Sequence, residues 1–168
     1  MAPSTKADTR TRAMDALAAE LRARGITAGP GADRRHPSRI TLSGPPGPPR
    51  LRTTAVVRSN NGFPGWQMSL DPFLDILDGD GRQTIRLKPL DRPDEIYILV
   101  WLGERRAKPN RYFLITAPEL QELVRAGHQW WLDQHGGTRP EKPESTHFTL
   151  MMKHLDPFEN RWDKLFHA

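Results

Sequence analysis

Seven consecutive residues, Ile96–Leu102 (IYILVWL), are apolar throughout. Their number and their branched and aromatic side chains predict a strand buried on both faces. Such a strand must lie inside a sheet, and the rest of the chain has to supply its neighbours. Arg111–Thr116 (RYFLIT) reads as the next strand, reached through the basic turn GERRAKPN, whose tip carries Arg105, Arg106 and Lys108. Arg39–Ser43 (RITLS) alternates apolar and polar residues and predicts another strand, paired with Leu51–Ser59 (LRTTAVVRS). The linker between these two, GPPGPPR, lacks the N–H groups that a helix or a central strand requires, and predicts an extended hairpin loop. Asn60-Asn61-Gly62 and Pro64-Gly65 are turn signals that lead into a short strand, Trp66–Leu70.

Helices flank these strands. Residues Met1–Asp8 read as a disordered arm, and Thr9–Arg24 as a helix with Met14, Leu17, Ala18 and Leu21 on one face, stopped by Gly25. Thr116-Ala117-Pro118-Glu119 has a threonine cap, a proline in the first turn and a glutamate three residues on, so a helix is expected over 118–134. Asp71–Pro93 reads as an insertion or an edge hairpin, with a turn at Asp78-Gly79-Asp80-Gly81 and a strand over Gln83–Leu87. The tail, with Phe148, Leu150, Leu155, Phe158, Trp162 and Leu165, carries too much apolar surface to hang free and is expected to pack back. The expected fold is α+β, an α/β sandwich in one domain. It has an N-terminal helix and a mostly antiparallel or mixed sheet of four to six strands.

Composition narrows the chemistry. The 168 residues include no cysteine, which excludes disulfides, thiolate metal sites and cysteine nucleophiles. No apolar run approaches the roughly 18 residues that span a bilayer, and the basic N-terminus has no apolar segment behind it, so a soluble cytoplasmic protein is expected. The formal charge of +5 favours a polyanion, DNA or RNA, as partner. No nucleophile elbow, P-loop or dinucleotide fingerprint is present. His128, His135, His147 and His154 form two pairs seven residues apart. They read as capping or surface residues, with a zinc site as the alternative. Trp101 and Trp162 are expected in the core. Trp130 and Trp131 are adjacent on one helix, so one is expected to be exposed and available to a protein partner or a second copy of the chain.

Several segments of the sequence stand in one order: AVVRS with WQMSL after it, IYILVWLGE, RYFLITAPEL, HGGTR, ESTHF and NRWDKL. In this order the chain, from about Leu51 on, resembles small uncharacterised bacterial proteins related to the PD-(D/E)XK, restriction-endonuclease-like group. The resemblance implies an Asp on one strand, then a Glu or Gln and a Lys on the next, with the acids holding Mg²⁺ and the lysine orienting the attacking water. Placed on Leu51–Ser59, that motif puts Val56 at the Glu position and Arg58 at the Lys position, and the Asp position falls near Ser38–Leu42, where no acid stands. Valine cannot ligate a metal, and arginine remains charged and cannot act as a base. On this placement the protein is a catalytically degenerate nuclease-like protein without cofactor. It grips nucleic-acid backbone through Arg58, Arg105, Arg106 and Lys108. A second placement uses Asp75, with Asp78 or Asp80, as Mg²⁺ ligands and Lys88 as the catalytic lysine of an active nuclease. A third reading keeps the fold only as the scaffold of a protein-interaction or accessory subunit.

Overall fold

The computed structural model describes residues 5–31, 38–103, 107–138 and 145–167. It is an α+β protein with two α-helices, a five-stranded mixed sheet and two smaller strand pairs. The chain sorts into two compact units rather than one continuous stretch. The first comprises Met1–Trp66, Asp94–Thr116 and Met151–Ala168; the second comprises Gln67–Pro93 and Ala117–Leu150.

The first unit holds helix α1 (Lys6–Arg22) and strands β1 (Thr27–Pro30), β2 (Arg39–Ser43), β3 (Thr54–Asn61), β7 (Ile96–Leu102) and β8 (Arg111–Thr116). Their order in the sheet is β1-β2-β3-β7-β8. All neighbours are antiparallel except β3 and β7, which run parallel from Ala55↔Ile96 to Asn61↔Leu102. The all-apolar strand β7 is thus interior, and only Tyr97 along it is less than fully buried. One face of the sheet, with Ala55, Val57, Ile98, Val100 and Leu114, packs on Ala13, Leu17 and Leu21 of α1.

Helix α1 starts earlier than its apolar stripe suggests. Thr5 Oγ1 accepts from the Asp8 N–H while the Asp8 carboxylate accepts from the Thr5 N–H, a capping box. Residues 6–8, expected in a disordered arm, are therefore its first turn, and Met1–Ser4 lie outside the described residues. The tail packs as expected, in short 3₁₀ turns that bury Leu155 and Leu165. Backbone bonds from Arg52 N to Leu165 O (2.8 Å) and from His167 N to Arg50 O (2.8 Å) tie it to the start of the β3 segment. Trp162 lies against Tyr112, with the Arg24 guanidinium 4.0 Å over its ring.

The second unit contains helix α2 (Ala117–Gln134), most of the paired strands β4 (Gly65–Ser69) and β9 (His147–Met151), and the hairpin of β5 (Leu74–Gly79) and β6 (Arg82–Leu87). The segment Asp71–Pro93 is thus a hairpin forming its own two-stranded sheet. Its turn places Asp80 and Gly81 at φ of 49° and 73°, the left-handed pair that a tight two-residue hairpin turn requires. Gln121, buried in α2, donates through Nε2 to Phe73 O (2.9 Å) and Lys88 O (2.7 Å), fixing both ends of the hairpin to the helix. Gly127 leaves room for the Phe148 ring; a Cβ there would stand 2.5 Å from Phe148 Cζ. No helix among the described residues is long and apolar enough to cross a membrane.

Leu17 is fully buried between α1 and the sheet. Leu17→Ala is expected to lower unfolding free energy by about 2–5 kcal/mol in urea titration. A change within ~0.5 kcal/mol would show that α1 does not close this core.

Candidate functional site

The face of the first unit's sheet opposite α1 carries the first placement of the nuclease motif. Val56 pairs with Arg39 on β2 and with Tyr97 on β7, so these three form one cross-strand row. Arg58, two residues on, projects from the same face and is exposed. Val56 is buried.

Near the expected Asp position this row presents a cation. The Arg39 guanidinium forks onto Glu95, Nε to Oε1 at 2.5 Å and Nη2 to Oε2 at 3.2 Å. Glu95 is 3% exposed and is the one buried acid among the described residues. A bidentate fork of this kind occupies both carboxylate oxygens. Mg²⁺ prefers two or more oxygen ligands and keeps several of its waters. A single neutralised carboxylate flanked by Val56, Arg39 and Arg58 does not fit that ion. Tyr97 lies beside the pair. Burial, and next the negative charge of Glu95, push its phenol up to about 12, with Arg39 and Arg58 pulling the other way.

Glu95 was not singled out in the sequence. The available signal was an acid abutting a fully apolar strand, two residues from Tyr97 and hence on its face. A carboxylate so placed must find a cation when the strand is buried.

Arg58 has no ion-pair partner among the described residues. Parallel pairing of β3 with β7 sets it opposite Leu99, three residues short of the end of the sheet from which the β7–β8 turn leaves, and Lys108 is exposed on that turn. The turn is held by a Lys108 N to Gly103 O bond of 3.0 Å and by Asn110 Oδ1 accepting from Gly103 N at 3.2 Å. Arg105 and Arg106 lie outside the described residues. Arg111, behind the turn, is committed elsewhere: it forks onto Glu159 (2.8 and 2.6 Å) and reaches Asp156 at 3.0 Å. Glu159 above all holds its guanidinium protonated, and in return Arg111 neutralises Glu159 and Asp156.

The second placement does not assemble a metal site. Asp75 stands opposite Arg86, which donates to Asp75 Oδ2 from Nε (3.1 Å) and Nη2 (2.8 Å). Lys88 Nζ lies 3.4 Å from Asp75 Oδ1 and donates to Asp71 O at 2.8 Å. These contacts, Arg86 first, hold the Asp75 carboxyl below its usual range. Asp75 and Lys88 are thus brought together, as an ion pair on an exposed ribbon. Asp78, three residues on, points to the opposite face and accepts from Gln83 Nε2 at 2.9 Å. Asp80 occupies the turn. No group of three or more metal-ligating side chains occurs among the described residues.

The histidines do not converge. Trp131 stacks against His135 at 4.3 Å and lies 6.2 Å from His128, so the first histidine pair is separated by an indole. His147 and His154 are exposed. Trp101 is buried as expected, Trp162 is partly buried, and of the adjacent pair Trp130 is the exposed member at 64%. No protein-family model matches the chain, and no curated protein or solved structure matches it either.

Glu95→Ala leaves the partly buried Arg39 charge without its partner, and is expected to cost about 2–3 kcal/mol of stability in urea titration. A loss under ~1 kcal/mol would mean that water already solvates the pair. The chain has two tyrosines, and burial raises the pKa of both Tyr97 and Tyr112. The folded state therefore retains protons that the unfolded chain sheds, so stability is present below about pH 10 and falls as pH rises towards 12. Absorbance titration at 295 nm should show both tyrosines of the folded protein ionising above the free-tyrosine value of about 10; a folded protein in which both titrate at 10 would contradict the burial.

Proposed function

We propose that this is a catalytically degenerate nuclease-like protein whose first unit binds the sugar–phosphate backbone of DNA or RNA through arginines. The observation that carries this reading is Arg58. It is an exposed guanidinium that no acid among the described residues pairs, on a sheet face whose one buried carboxylate among them is locked by Arg39. A guanidinium forks onto a phosphate well and serves poorly as a base, so this arrangement suits grip without cleavage.

Charge partition supports the same conclusion. The first unit has 18 lysines and arginines against 10 acids, a formal +8; the second has 7 against 10, a formal −3. The +5 of the whole chain therefore understates how basic the first unit is. Phosphate contacts by such a surface release counterions and give binding that weakens steeply with salt. Arg58 lies three residues before the end of the sheet at which Lys108 is exposed, a separation that one phosphate strand can span.

In fluorescence anisotropy at low salt, labelled DNA or RNA is expected to bind. Arg58→Ala should weaken binding about ten-fold and lower the salt-dependence slope by about one. Absence of any affinity for DNA and RNA at low salt would sink the proposal. Cleavage that needs Mg²⁺ or Mn²⁺ and is lost in Asp75→Ala would replace it with the nuclease reading.

A further inference from the structure

The turn after β3 carries the one large apolar side chain of the first unit that stands exposed among the described residues. Phe63 is 55% exposed, between Gly62 and Pro64. The turn is braced on three sides. The Asn60 side-chain amide donates to Gly65 O, and Asn60 Oδ1 accepts from Asn61 N at 2.6 Å. Pro64 O accepts from Met152 N at 2.9 Å. Gly62 at φ 104° takes a backbone conformation that other residues resist. An apolar ring held out to water on a stiffened turn gains nothing for the fold.

Its surroundings are cationic. Asn61 pairs with Leu102, so the β3–β4 turn and the β7–β8 turn leave the same end of the sheet, and the latter carries the exposed Lys108. The bond from Met152 N to Pro64 O brings Lys153, also exposed, beside the turn. Arg58 lies three residues before the end of β3, about 10 Å along the strand.

We infer that Phe63 is a base-stacking platform, and that the nucleic acid held by Arg58, Lys108 and Lys153 is single-stranded. This rests on the backbone-binding reading above and goes beyond it by naming the form of the ligand. In a duplex the faces of the bases are covered by their neighbours, and an aromatic ring on a turn finds none to cover. In an unpaired strand each base offers a face, and a ring flanked by cations is the arrangement that binds such strands without reading sequence. The braced turn lowers the cost of ordering the ring on binding.

The test compares fluorescein-labelled oligo-dT, oligo-U and a blunt DNA duplex against the full chain, Phe63→Ala, Phe63→Trp and Arg58→Ala. Phe63→Ala is expected to weaken oligo-dT and oligo-U binding five-fold or more with the salt slope unchanged, to leave duplex binding unaltered, and to be rescued by Phe63→Trp. The two single-stranded arms tell DNA from RNA. Single strands bound equally well by Phe63→Ala, or a duplex preferred by the unaltered chain, would overturn the stacking role and leave backbone binding standing. Absence of binding to all three ligands would remove both.

Discussion

Parallel pairing of β3 with β7 is the constraint on which the rest of the first unit depends. Every other strand contact in that sheet is antiparallel and joins neighbours in sequence order. The β3–β7 pair joins Ala55 to Ile96 across the whole of the second unit's first segment. It buries the most apolar strand of the chain, and it also decides what lies at the sheet's end. Two parallel strands must leave on the same side. The turns carrying Phe63 and Lys108 are therefore neighbours by topology. Were β3 and β7 antiparallel, the same residues would lie at opposite ends of the sheet.

Among the described residues several arginines have ion-pair or hydrogen-bond partners and Arg58 has none. Arg39 meets Glu95, Arg111 meets Glu159 and Asp156, and Arg161 meets Asp163. Arg52 is absorbed by backbone carbonyls of Lys164 and Asp94. Arg58 is opposite Leu99 on β7, a neighbour that offers no acceptor. An exposed cation so placed costs the fold little, because water solvates it, and it contributes little to the fold either. Arg39 and Glu95 differ in this respect: burying an ion pair brings a desolvation penalty that the mutual attraction offsets only with good geometry. The fork geometry of that pair supplies it.

The sequence disclosed the elements that carry strong patterns. Ile96–Leu102, Arg111–Thr116 and Arg39–Ser43 fold with the bounds read from alternation and apolar runs, and the helix expected over 118–134 begins one residue earlier. The elements that escaped have compositions of turns. Thr27–Pro30 contains a glycine and a proline, yet β1 is an edge strand, where a missing N–H is tolerated. Leu74–Gly79 holds two aspartates and ends in glycine, and what makes it a strand is its partner, in the pairs Asp75↔Arg86 and Asp78↔Gln83. Asp75 and Lys88 look from their spacing like parts of a nuclease motif. The cross-strand arginine between them, visible only once the register is known, gives Asp75 a structural role. Phe63 passed as part of a turn because nothing in a sequence distinguishes an apolar residue that a turn hides from one that it presents.

Charge segregation bears on how two such units can coexist in one chain. A surface of net +8 is self-repelling and binds polyanions readily. The second unit is acidic on balance, and some of its charges are spent internally: Asp75 on Arg86 and Lys88, Glu122 on Arg125. Its fold relies on neutral devices instead, such as the Gln121 amide bridging two backbone carbonyls and the Thr138 hydroxyl donating to Gly81 O. Salt should therefore act on the two units differently. Screening shortens the reach of an exposed, unpaired charge such as Arg58, while amide bonds within a buried setting are scarcely affected. On the backbone-binding proposal, binding would fade with salt while the fold persists.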